Sequence, residues 1–117
     1  MTELDRLHDC GIFCSKVKTL NGERAFEVVL PLFPFADDEP IRFFVWKENR
    51  GWVAFDEGLT LFNARGIGYS DEDFLDAIRY TDEIKFDGSE LTTEPLPTMG
   101  QAVSTMAMVI DRIGMLI

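Results

Sequence analysis

Hydrophobic and polar positions alternate through much of the chain and change to three- and four-residue steps at its end. Ile41 to Lys47 is β-branched or aromatic at most positions, which suits a pleated surface. Ile41, Phe43 and Val45 fall on one face, and Arg42, Phe44 and Trp46 on the other. Neither face is cleanly polar, so the pattern predicts a central strand covered on both sides. Glu48 to Gly51 supplies a turn, and Trp52 to Phe55 returns as the partner strand of a hairpin. Asp56-Glu57-Gly58 ends that hairpin. Leu59 to Arg65 then predicts a short helix, with Gly66 placed to stop it at the C′ position.

Two more hairpins follow from turn chemistry. Lys16 to Leu20 and Arg24 to Leu30 flank Asn21-Gly22-Glu23, and Asn-Gly between two such runs is a strong hairpin signal. Ile84 to Phe86 and Glu90 to Thr92 flank Asp87-Gly88-Ser89 in the same way. Pro31 and Pro34 withhold ladder donors and end the earlier strand. Phe33 and Phe35, in that proline-rich connector, are expected to fold back over the core, with a contact surface as the other reading.

Helical spacing marks three more segments. Thr2 with Asp5 resembles a capping box for a helix from Glu3 to Cys10. Ser70 with Asp73 forms an N-cap, and Asp71 and Glu72 suit the positive end of the dipole. Phe74, Leu75 and Ile78 give the apolar stripe of that helix, expected from Asp71 to about Tyr80. From Thr98 to Ile117 apolar residues recur at helical steps. Met108, Val109, Met115 and Leu116 widen that stripe, which implies a helix buried on most sides or used at a subunit contact. The fold class is therefore α+β. An antiparallel sheet of about four or five strands, built from hairpins, carries three or four helices, including an apolar C-terminal helix. Residues 1–117 read as one domain.

Composition narrows the classes. Hydrophobic residues make up 46% of 117, enough for a core without disulfides or metal. No run reaches the roughly 20 apolar residues a bilayer span needs. The charged start Met-Thr-Glu-Leu-Asp-Arg does not read as a signal peptide, so the cytoplasm is expected. Twenty-one acids against eleven bases give a net charge of −10. That sign disfavours direct contact with nucleic-acid phosphates and with anionic membranes. It allows a basic protein partner, and it also serves plain solubility.

Residue chemistry offers little catalysis. His8 is the one histidine, and with Cys10 and Cys14 it could ligate zinc only in a strained local geometry that no distant residue completes. Cys10 and Cys14 read as packed thiols. Carboxylates cluster at Asp37-Asp38-Glu39, at Asp56-Glu57 and around Asp71-Glu72-Asp73-Asp76. A metal-dependent hydrolase wants converging carboxylates with a lysine, and Asp56 with Lys47 is the candidate pairing. The structural reading of Asp56-Glu57 is a tight turn that caps the Leu59 helix. Gly66-Ile67-Gly68 is too short for a phosphate loop, and no serine sits in a nucleophile elbow. No cofactor and no metal are expected.

The stretch from Ser70 to Glu94 holds nine acids against Arg79 and Lys85, a net of −7. Carboxylates gathered on one face there would imitate a phosphate backbone. The expected function is a non-enzymatic acidic module that blocks a basic, nucleic-acid-handling partner, as phage-encoded inhibitors of host defence such as anti-CRISPR proteins do. The partner-binding residues on this reading are Asp71, Glu72, Asp73, Asp76, Asp82, Glu83, Asp87 and Glu90. Two alternatives are a structural module that dimerises through its last helix, and a metal-dependent hydrolase using Asp56 and Glu57.

The run Gly51-Trp52-Val53-Ala54-Phe55-Asp56-Glu57-Gly58-Leu59-Thr60-Leu61, followed by a short helix and Gly66-Ile67, resembles the bacterial and phage family catalogued as domain of unknown function 1828. The later turn Asp87-Gly88-Ser89-Glu90-Leu91 and an apolar terminal helix fit the same pattern. The resemblance covers residues 27–117, with Asp-Glu-Gly here where that family has Asp-Asp-Gly. It implies an α+β fold and a bacterial or phage origin, and no particular activity.

Overall fold

Three hairpins, read separately from the sequence, join edge to edge in a computed structural model that describes residues 13–20, 23–35, 40–79 and 84–114. For 13–20, 23 and 24 only the backbone is described. The expected Glu3–Cys10 helix, the Asn21-Gly22 turn, the side chains of His8, Cys10 and Cys14, and Asp37 to Glu39, Asp82, Glu83 and 115–117 lie outside the described residues. The strands are β1 (Phe13–Leu20), β2 (Glu23–Leu30), β3 (Ile41–Glu48), β4 (Gly51–Phe55), β5 (Ile84–Phe86) and β6 (Leu91–Thr93). The helices are α1 (Leu59–Gly66), α2 (Asp71–Ile78) and α3 (Met99–Gly114). The strands form one antiparallel sheet in the order β1-β2-β3-β4-β6-β5. The architecture is α+β, as the pattern implies.

Register follows from the apolar alternation. Phe26, Val28 and Leu30 lie opposite Val45, Phe43 and Ile41, and Val45 lies opposite Ala54. A one-residue slip would turn this whole set toward the other face. Helix α3 packs on β3, β4, β6 and α2 from the face these residues share. It buries Met99, Ala102, Val103, Met106, Val109, Ile110 and Ile113 and leaves Gln101, Ser104, Met108 and Arg112 exposed. Only that one stripe is exposed, so the helix is covered on most sides, one of the two outcomes its pattern implies. It packs on the sheet and α2, and its end meets the β2–β3 connector at Pro34.

Three local details differ from expectation or sharpen it. Gly66 belongs to α1, and the left-handed residue past the helix end is Gly68, at φ 98°. Its N–H donates to Arg65 O and that of Tyr69 to Ala64 O, which places the C′ residue two positions later than the first glycine suggests. Phe35 packs against the core while Phe33 stays half-exposed, so the two connector phenylalanines divide between the two readings. Between β6 and α3 the chain also returns to β4. Trp52 and Leu96 exchange backbone hydrogen bonds of 2.7 and 2.9 Å beyond Glu94 and Pro95. Among the described residues no helix is long and apolar enough to cross a membrane.

Candidate functional site

Asp56 is the buried carboxylate at the end of β4, 1% exposed. Its Oδ1 accepts the N–H of Gly58 and of Leu91, each at 2.9 Å, and its Oδ2 accepts that of Thr60 at 3.2 Å. One side chain thus satisfies two donors at the start of α1 and one at the start of β6. A carboxylate so engaged acts as a cap placed two residues early, since Gly58, the N-cap residue, has no side chain to offer. Lys47, its candidate catalytic partner, is at the other end of the hairpin. It pairs in register with Trp52 and holds its Nζ 5.6 Å from that ring's centre. Four residues of strand, about 13 Å, separate Trp52 from Asp56. The structure does not bring Asp56 and Lys47 together. Among the described residues no group of three or more His, Cys, Asp or Glu is placed to hold a metal ion.

Three of the four acids of α2 are individually occupied. Both Asp71 carboxylate oxygens accept from Arg65, each at 2.9 Å, and this hydrogen bonding holds the Asp71 pKa below its ordinary value. Asp76 accepts from Arg79 at 2.7 Å. Asp73 completes a capping box: its N–H donates to Ser70 Oγ and its carboxylate accepts the Ser70 N–H, each at 3.1 Å. Glu72 is exposed. Asp71, Asp73 and Asp76 therefore answer to α2 and its arginine neighbours before any partner arrives.

A different set of carboxylates does converge. Asp87 accepts the N–H of Ser89 and of Glu90 across the β5–β6 turn, at 2.9 and 2.7 Å, and these bonds lower its pKa. Glu90 accepts the Glu57 N–H at 3.2 Å and is half-buried. Burial pushes the Glu90 pKa up, and the charges of Asp56, Asp87 and Glu57 push it further in the same direction. Glu57, exposed and held at φ 53°, completes the group. Of the sequence-predicted residues, Asp87 and Glu90 meet here, whereas Asp71, Asp73 and Asp76 are spent on α2. The sequence run placed the acids in one window, but only the antiparallel return of β6 beside β4 shows which of them touch.

The sheet face away from α3 carries an aromatic group. Phe44 stacks on Phe55 with centroids 5.6 Å apart, and Trp46 tilts against Phe55 at 5.3 Å. A cavity of about 520 Å3 adjoins Phe44, between Arg42, Glu57 and Phe62, whose ring is 72% exposed. A second cavity, of about 610 Å3, adjoins Trp46 where β6 leaves β4. Among the described residues the buried indole Nε1 of Trp46 has no hydrogen-bond partner. The residues of this second cavity escaped the sequence reading. Pro95, which cannot donate to a ladder, is the signal that marks the break in β6. No family model matches the chain, and no curated protein or solved structure matches it either.

Proposed function

We propose that the protein is a non-enzymatic acidic binding module that occupies a basic, nucleic-acid-handling partner, in the manner of phage-encoded inhibitors of host defence such as anti-CRISPR proteins. The observation that supports this reading is the convergence of Glu57, Asp87 and Glu90 beside buried Asp56: Glu90 accepts the Glu57 N–H, Asp87 accepts the Glu90 N–H, and Asp56 accepts the N–H of the next residue, Leu91. Around them the chain stays strongly acidic. The described residues from Asp56 to Glu94 hold nine carboxylates against Arg65, Arg79 and Lys85. Carboxylates held by turn geometry keep their spacing when a partner docks, and such preorganisation favours fast, salt-sensitive association. The contact is centred on the β4–α1 and β5–β6 turns, with exposed Glu72 as an outlier on α2.

The test is capture of bacterial proteins on immobilised protein at low salt, with competition by duplex DNA. A basic protein that DNA displaces, that about 0.5 M salt elutes, and that Glu57→Lys with Glu72→Lys no longer retains is the expected result. Retention that ignores both salt and charge reversal overturns the reading. Glu57 and Glu72 suit the reversal because both are exposed and neither side chain hydrogen-bonds to another group among the described residues.

A further inference from the structure

We propose that the cavity beside Trp46 binds a small zwitterion of the α-amino-acid type with an apolar side chain. The space exists because the sheet is interrupted. β6 pairs with β4 at Phe55 and Thr92, and the chain rejoins β4 only at Leu96. Between these points the Thr93 hydroxyl accepts the Ala54 N–H at 2.9 Å in place of a ladder carbonyl, and Glu94 and Pro95 swing out. Such departures re-aim side chains beside sites. The resulting 610 Å3 lies within the range of small-molecule pockets, about 300–1,000 Å3.

The lining matches such a ligand at both ends. Trp46, Val53 and Pro95 form an apolar wall for its side chain. Glu48 and Arg50, from the end of β3 and the turn after it, face the same space. Unlike Lys85, which pairs with Glu94 at 3.1 Å, and unlike Arg65 and Arg79, neither has an ion-pair partner among the described residues. They carry opposite charges two residues apart and do not bond to each other. A ligand carrying a carboxylate and an ammonium on one carbon satisfies both. A purely anionic ligand would meet Glu48, and a purely cationic one Arg50. None of its lining residues belongs to the β4–α1 or β5–β6 turn, so it stands or falls independently of the proposed function.

The experiment titrates 15N-labelled protein with L-phenylalanine and follows the two indole N–H signals. Trp46 should shift saturably while Trp52, on the opposite face of the sheet, stays still. Phenylacetate and phenethylamine, each lacking one charge, should bind about tenfold more weakly or worse. Glu48→Ala and Arg50→Ala, both at exposed positions, should each weaken L-phenylalanine by a similar factor. An unmoved Trp46 signal up to about 20 mM ligand overturns the proposal. So does equal affinity for phenylacetate, or unaltered affinity in either variant.

Discussion

Asp56 ties two elements together, because two backbone N–H groups at the start of α1 and one at the start of β6 donate to its carboxylate. Asp56→Ala leaves three backbone donors without their acceptor, two of them in buried surroundings, and should cost about 3 kcal/mol or more in denaturant unfolding. Asp56→Asn keeps one acceptor oxygen and should cost less. A near-neutral Asp56→Ala would show that water replaces the carboxylate at that corner. Glu90 works in the opposite sense. Its folded pKa is raised, so the folded state binds its proton more tightly than the unfolded chain, and stability from this group grows as pH falls through the raised value. Glu90→Gln keeps an acceptor for the Glu57 N–H and removes the charge. Its melting temperature should exceed that of the parent at pH 7, and the gap should close as pH approaches 4. Asp71 and Asp87, with depressed values, support the fold above the ordinary aspartate range and lose that contribution as acid protonates them.

At the scale of single elements, the sequence was legible where local rules decide the outcome. The Ser70–Asp73 cap, the β3–β4 hairpin and the Asp87-Gly88-Ser89 turn are short-range features, and all three form as the residues imply. Ser70→Ala removes the oxygen that receives the Asp73 N–H and should destabilise the protein by about 1 kcal/mol, measured as a lower denaturant midpoint with an unchanged slope. The end of α1 was misjudged because two glycines compete there, and the backbone uses the second. The break in β6 was illegible for a different reason. Leu91 to Thr93 pairs with β4 across more than thirty intervening residues, a distance over which no local pattern carries register. The cavity it opens, and the meeting of Glu57 with Glu90, are products of that long-range pairing. Charge counting had placed the α2 acids on a binding face. It could not see that Arg65, six residues before Asp71, and Arg79, three after Asp76, would reach them.

For the molecule as a whole, the decisive quantity is a net charge of −10 on 117 residues. Self-repulsion opposes compaction, and the surface ion pairs return little, since Arg65–Asp71, Asp76–Arg79 and Lys85–Glu94 are all solvent-exposed. Raising monovalent salt from about 10 to 300 mM shortens the screening length from about 30 Å to well under 10 Å and should raise the melting temperature. A fall over that range would mean that the ion pairs outweigh the repulsion. The same salt would weaken a complex with a basic partner, so folding and binding should respond to it with opposite signs.

Where α3 ends, Gly114 presses against Pro34 in the connector between β2 and β3. A Cβ built on Gly114 would collide with the proline's own Cβ, so the helix tail and the strand connector share one allotment of space. Residues 34 and 114 are eighty apart in the chain, yet neither can enlarge alone. In kindred sequences the two positions ought therefore to change in concert, a bulkier residue at one accompanied by a smaller one at the other.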